Sequence, residues 1–358
     1  MSVSSACVFE APDFAGHEQV TFVSDATSGL RAIVAIHDTT LGPALGGCRY
    51  WHYESEADAV RDALRLAHGM TLKAALADLP LGGGKAVILA SGRGKHPDLL
   101  RALGRAIDRL GGRYVTAEDV GTTADDMALI ATETEHVTGL PDRGGDPSPL
   151  TALGVHLGIR AAVSHRLGTA SLDGVTILVQ GLGAVGRRLA ERLARDGARL
   201  LVSDIRVEAV DAAARDLGAG IVAPDAVWEA EADVLAPCAL GGVLDDGTIP
   251  RLGAAIVAGA ANNQLAEPRH GMLLAKRGIL YAPDFCINAG GLIGVGHAYL
   301  DRARDYDRDA VVRQVECIPA TLSAIFDAAE AEGGSTERIA VRMAEERLAA
   351  ARETPERA

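Results

Sequence analysis

A chain of 358 residues that is 48% hydrophobic, 23% charged and only 4% aromatic can build more than one aliphatic core, and this composition excludes intrinsic disorder. Its formal charge of −13 argues against nucleic acid or an anionic membrane as partner, because either needs clustered Lys and Arg. Small molecules or protein are the expected partners. Cys7, Cys48, Cys238, Cys286 and Cys317 are scattered, odd in number and never spaced as CxxC, so they read as reduced thiols. No HExxH or comparable spacing suggests a metal site. The N-terminus has no basic segment followed by an apolar one, and no run of about eighteen apolar residues occurs, so a soluble cytoplasmic protein is expected.

In chain order, the runs EQVTFVSD and LRAIVAIHDT predict a hairpin turning at Thr27-Ser28-Gly29. Ser55, with Asp58 three residues on, caps a long helical pattern that extends to about Ala77. Gly82-Gly83-Gly84 is expected to be a turn leading into the strand KAVILA. A helix is expected from Pro97, then a strand, RYVTA. Gly, Pro and Asp concentrate from Thr138 to Pro149, which predicts an interdomain connection. Beyond it, helix 149–167, strand TILVQ, helix 184–197, strand RLLVSD and helix 206–217 alternate as in a doubly wound parallel sheet. After about Asn288 the pattern is only helical, ending in STERIAVRMAEERLAAA. The expected class is α/β: an N-terminal α/β domain over 1–145 and a C-terminal Rossmann domain over 146–325. The helices from about 325 to 358 are expected to pack back on the first domain.

After the strand Thr176 to Gln180 comes Gly181-Leu182-Gly183-Ala184-Val185-Gly186 and then a helical run. The first glycine suits a tight turn, the second a close approach of backbone to pyrophosphate, and the third close helix packing. Asp204 closes the next strand, where its carboxylate can accept from the adenosine ribose hydroxyls, so NAD is the expected cofactor. Arg206 nearby keeps NADP open, although Asp204 would repel its 2′-phosphate.

Lys85 follows three glycines. A phosphate loop would need Gly at Leu79 and Ser or Thr at Ala86, so the lysine calls for another reading. Taken alone, Lys73 and Lys85 would be surface lysines. Glycines beside Lys85 let a ligand approach the backbone, and an enclosed lysine becomes a better base.

The ordered motifs GPALGG, GMTLK, LGGGKAVI, TAEDVGTT, QGLGAVG, APCALGG, AGAANNQL and YAPDF followed by INAGG span nearly the whole chain. In these the sequence resembles the amino-acid dehydrogenases of the leucine, valine, phenylalanine and glutamate dehydrogenase family, closest in pattern to the leucine and valine enzymes. The resemblance implies a substrate domain, an NAD domain and a cleft between them. It assigns Lys73, with Asn288, to the substrate α-carboxylate, Lys85 to the general base that activates water, and Asp119 to the proton shuttle. Gly46 and Gly47 count among the substrate-binding positions, and Cys238, Ala239, Ala261 and Asn262 lie along the nicotinamide half of the cofactor. The implied reaction turns an amino acid into a 2-oxo acid and ammonia, and the family forms closed homo-oligomers.

Glutamate-specific relatives carry lysine at the position of Leu45. Leucine-type relatives line the side-chain pocket at positions matching Leu45, Ala117, Leu292 and Val295, all apolar here, so an apolar, branched-chain substrate is implied. Phenylalanine or tryptophan as substrate stays open, because one or two carbons discriminate by only about 1–3 kcal/mol. A catalytically silent dinucleotide-binding protein of the same fold is the remote alternative.

Overall fold

The computed structural model describes residues 8–141, 145–302 and 306–353. Cys7 and part of the Thr138–Pro149 connection lie outside them. The chain forms two compact units: one up to Asp146 with Gly294–Asp307 and the residues from Glu345 on, the other Pro147–Ile293 with Arg308–Ala344.

In the first unit the elements are β1 (Gln19–Asp25), β2 (Leu30–Asp38), β3 (Ala44–Trp51), α1 (Glu56–Leu76), β4 (Gly82–Leu89), α2 (Pro97–Asp108), β5 (Tyr114–Glu118) and α3 (Ala124–Ala131). The five strands pair in the order β1-β2-β4-β3-β5. The expected hairpin is β1–β2, antiparallel. The Ser55 hydroxyl accepts from the Asp58 amide and starts α1 one residue later. One expectation needs correction, and one strand went unread. The glycines Gly82-Gly83-Gly84 are not a turn but the first residues of β4, and GPALGG leads into a whole strand, β3, that periodicity did not reveal.

The reason lies on the two faces of the sheet. A Cβ on Gly83 would fall 2.1 Å from the Thr71 amide nitrogen of α1, and one on Gly84 would fall 2.8 Å from the Tyr114 ring. Glycine is there so that a helix and an aromatic ring can press onto β4. One face, with Ile33, Ala35 and Val87, packs on Ala59, Val60, Ala63, Leu64 and Ala67 of α1. The other, with Val34, Ile36, Cys48, Ala86, Ile88 and Tyr114, packs on α2 and α3 through Leu99, Leu103, Met127 and Ile130.

The second unit has α4 (Ser148–Leu167), β6 (Thr176–Gln180), α5 (Ala184–Arg195), β7 (Arg199–Ser203), α6 (Val207–Leu217), β8 (Gly220–Ile221), β9 (Val234–Pro237), β10 (Ile256–Val257), α7 (Arg269–Lys276), β11 (Leu280–Tyr281) and α8 (Asp284–Ile287). Then follow α9 (Gly290–Leu300), α10 (Arg308–Val315), α11 (Ile318–Glu332) and α12 (Thr336–Glu353). The sheet order is β11-β10-β9-β6-β7-β8, and every pair is parallel. The strand order reverses at β6, so the ligand edge is where β6 and β9 end.

The return to the first unit is narrower than expected from about residue 325. Gly158 of α4 leaves room for Ile287 and Leu322, which holds α11 in the second unit. The end of α12 belongs to the first unit, tied there by ion pairs of Arg347 with Asp78 and Arg352 with Asp38.

Candidate active site

Alternate residues of a strand share a face, so the register of β3, β4 and β5 decides which side chains meet. Leu45 pairs with Gly83, and Gly47 with Ala117. Two residues on from Leu45, Gly83 and Ala117 lie Gly47, Lys85 and Asp119, and two beyond Gly47 lies Arg49. One face of three adjacent strands therefore carries an apolar patch, Leu45 and Ala117, next to a charged one, Lys85, Asp119 and Arg49. It is the face covered by α1, whose Thr71 backbone sits against Gly83 two residues before Lys73.

Lys85 is only 5% exposed, and its Nζ is 2.8 Å from Asp119 Oδ2. Arg49 Nε donates to the same oxygen at 3.1 Å, while Arg49 Nη1 and the Tyr53 hydroxyl both donate to Asp62 Oδ2 at 2.7 Å. Burial alone would push the Asp119 carboxyl up, but the Lys85 ammonium and the Arg49 guanidinium outweigh it and hold the group at about 2. Gly47 permits this approach, since a Cβ there would lie 2.7 Å from the Asp119 Cβ. Gly46 serves the opposite face, where its carbonyl accepts from the Tyr114 hydroxyl at 2.6 Å. Arg49, Tyr53 and Asp62 escaped sequence reasoning. Had β3 been read as a strand, the spacing of Arg49 from Gly47 would have put it on the lysine's side.

In the second unit, Gly181 closes β6 with φ +95°, and a Cβ on it would strike Ala239 after β9. A Cβ on Gly186 would fall 1.9 Å from the Gly181 carbonyl oxygen, so only glycine lets α5 start this close to the strand. Gly183 faces open space, and no side chain caps α5. Its first amides are left for an anion. Asp204 Oδ2 accepts from the Leu182 amide at 2.6 Å, which holds the acid against the turn, and Arg206 pairs with Asp204. Exposed Ile205 and Leu240 add apolar surface on either side of this edge, beside Asp204 and Ala239.

Residues 17–136 match the family described as Glu/Leu/Phe/Val dehydrogenase, dimerisation domain, and residues 206–354 match Glutamate/Leucine/Phenylalanine/Valine dehydrogenase. The chain belongs to this family. It is 50% identical over 346 residues to a leucine dehydrogenase of Bacillus cereus, covering 96% of this chain and 93% of the relative. It is 48% identical over 342 residues to an L-tryptophan dehydrogenase of Nostoc punctiforme, covering 95% and 96%. The crystal structure of L-tryptophan dehydrogenase from Nostoc punctiforme superposes with a TM-score of 0.80 at 47% identity, over 94% of this chain and 97% of that one. A hetero-hexameric glutamate dehydrogenase from Thermus thermophilus gives 0.77 at 27% identity, over 97% and 91%.

As a member of the Glu/Leu/Phe/Val dehydrogenase family, the protein is an amino-acid dehydrogenase, and its cofactor is NAD. The open backbone at Gly183, the uncapped start of α5 and the Asp204 carboxylate fit a dinucleotide. Exchanging Asp204 for Asn keeps an acceptor for the Leu182 amide and removes the charge that repels a 2′-phosphate. The ratio of kcat/KM with NADP to that with NAD is expected to rise at least about tenfold, as the loss of one close repulsion implies. An unchanged ratio would show that Asp204 does not discriminate.

The AGAANNQL segment after β10 is tightly braced. Gln264 Nε2 donates to the carbonyls of Gly259 and Ala261, and the Asn263 amide donates to Asp284. Asn288 Nδ2 donates to the Ala260 carbonyl and Asn262 Oδ1, and the buried Asn288 Oδ1 has no hydrogen bond. Asn288 thus presents an acceptor here, whereas the sequence motif implied a donor to a carboxylate. Ala261 is buried and Cys238 and Ala239 follow β9, on the same sheet edge as Gly181. Leu292 and Val295 are buried three residues apart on α9, and the Val295 carbonyl accepts from Thr138 Oγ1 at 2.8 Å. Among the described residues, no helix is long and apolar enough to cross a membrane.

Proposed function

We propose that the protein oxidatively deaminates a branched-chain, leucine- or valine-like L-amino acid, with Lys85 as base, Asp119 as proton shuttle and Lys73 as carboxylate anchor. The observation that carries this reading is the buried Lys85–Asp119 pair on one sheet face with apolar Leu45 and Ala117. A lysine and a carboxylate 2.8 Å apart hold one proton between them and can pass it either way. NAD would be held by the Gly181–Gly186 turn and Asp204 and would supply the acceptor for the substrate Cα hydride. Lys85 then draws a proton from water as it adds to the imine carbon, and Asp119 returns a proton to the departing nitrogen. An ammonium cannot act as base, so the oxidative rate is expected to rise toward alkaline pH. The chain resides in the cytoplasm and works as a homo-oligomer, and the description of residues 17–136 as a dimerisation domain supports the oligomer.

Initial rates across leucine, valine, isoleucine, phenylalanine, tryptophan and glutamate test the substrate. Branched-chain substrates are expected to lead; a higher kcat/KM with tryptophan favours the second reading, which rests on the tryptophan dehydrogenase likeness. Leu45→Lys is expected to cut kcat/KM on leucine roughly a hundredfold, because it buries an ammonium without a partner. Unchanged leucine kinetics in that variant would remove Leu45 from the pocket.

A further inference from the structure

Asp119 is gripped from two sides, and only one of its partners has a place in the chemistry proposed above. Arg49 reaches Asp119 Oδ2 with Nε at 3.1 Å and Asp62 Oδ2 with Nη1 at 2.7 Å, and Tyr53 donates to that same Asp62 oxygen. The four charges, Lys85, Asp119, Arg49 and Asp62, alternate in sign and cancel. The arginine side chain is 18% exposed and the Asp119 side chain 14%, so their interactions are weakly screened.

We propose that Arg49 is a positioning residue that sets how readily the Lys85–Asp119 pair gives up its proton. The inference rests on the roles assigned above to Lys85 and Asp119. A carboxylate with a single cation beside it holds that cation's proton firmly. A second cation on the same carboxylate oxygen competes for that negative charge and loosens its hold on the lysine's proton. Arg49 therefore weakens the hold of Asp119 on the shared proton, and Asp62 with Tyr53 aims the guanidinium while moderating its field. Arginine suits this role because its fork reaches two carboxylates at once.

The other ionisable groups near the pair do not account for this effect. Glu118, from β5, is a further anion whose carboxyl is raised by burial and by neighbouring acids, and it would favour the ammonium. Cys48 of β3, pushed up to about 11 by burial, and Tyr114 of β5, raised well above its ordinary value by burial, stay neutral. Lys73 lies on α1 with Asp62 and is left unaltered in every variant below.

The test is the pH dependence of kcat/KM for leucine oxidation in Arg49→Gln, Arg49→Lys and Asp62→Asn, with thermal unfolding as the fold control. Removing the Arg49 cation leaves two carboxylates acting on Lys85, so the alkaline-going limb is expected to move up by about one pH unit, the scale of a close charge effect. Below the limb, kcat/KM then falls about tenfold, and the deficit closes at high pH. Asp62→Asn strips the counter-charge from Arg49 and is expected to move the limb the opposite way. Arg49→Lys keeps the charge and is expected to hold the limb near its original pH, with kcat lowered by the lost fork. A merely structural arginine cannot shift the limb in opposite directions. A constant loss at every pH in Arg49→Gln, or no shift in Asp62→Asn if the first variant fails to fold, overturns the proposal. Lys85→Ala runs alongside: if it keeps near-normal turnover, the base assignment fails and takes this inference with it, whereas its collapse with an unmoved limb in Arg49→Gln refutes Arg49 alone.

Discussion

Lys85→Ala is expected to lower kcat by roughly a hundredfold or more, with a smaller change in KM, the loss that follows when a positioned acid–base group is removed. The buried Nζ, 2.8 Å from Asp119, is held by that carboxylate, so the alanine variant also leaves Asp119 without its nearest cation. Its carboxyl is then expected to rise from about 2, because burial opposes ionisation with Arg49 and the Val120 amide left in support. Lys73→Ala is expected to fail differently, raising KM for the amino acid most visibly, since an anchor for the α-carboxylate contributes to ground-state binding. Steady-state kinetics of the two variants over one substrate range separates the roles. Near-normal turnover in Lys85→Ala, or equal effects on kcat and KM in both, contradicts the division of labour.

Gly46→Ala is expected to destabilise the protein by more than about 3 kcal/mol and to abolish activity, a large effect for one methyl group. A Cβ at Gly46 would lie 1.7 Å from the Gly84 carbonyl oxygen, which is backbone of the neighbouring strand and cannot swing away. Relief by moving β3 is blocked on every side. Leu45 and Cys48 are paired to β4, Gly46 itself is paired to Thr116 of β5, and the Tyr114 hydroxyl is bound to the Gly46 carbonyl. Gly92→Ala is the control, because a Cβ there meets nothing within 4 Å and the backbone needs no positive φ. Urea unfolding midpoints of the two variants make the comparison. Equal midpoints would mean that the two strands can part locally at little cost.

The sequence by itself determined the first half of the second unit: β6, the glycine turn, α5, β7 and Asp204 follow one another in the chain, and each has a local signature of period, cap or turn. It also determined α1, through Ser55 and a continuous apolar stripe. Through the family motifs it named Lys73, Lys85 and Asp119, but not why Lys85 and Asp119 meet. The tertiary structure alone decided the centre of the first unit. β3 and the start of β4 are glycine-rich strands whose conformation is imposed by what presses on them, Thr71 over Gly83 and Tyr114 against Gly84, and contacts between distant residues leave no periodic trace in either partner. Arg49 and Asp62 were invisible for the same reason. Thirteen residues apart in sequence, they come together only once β3 and α1 pack on a common sheet face, and there a surface-looking arginine becomes the neighbour of the Lys85–Asp119 pair.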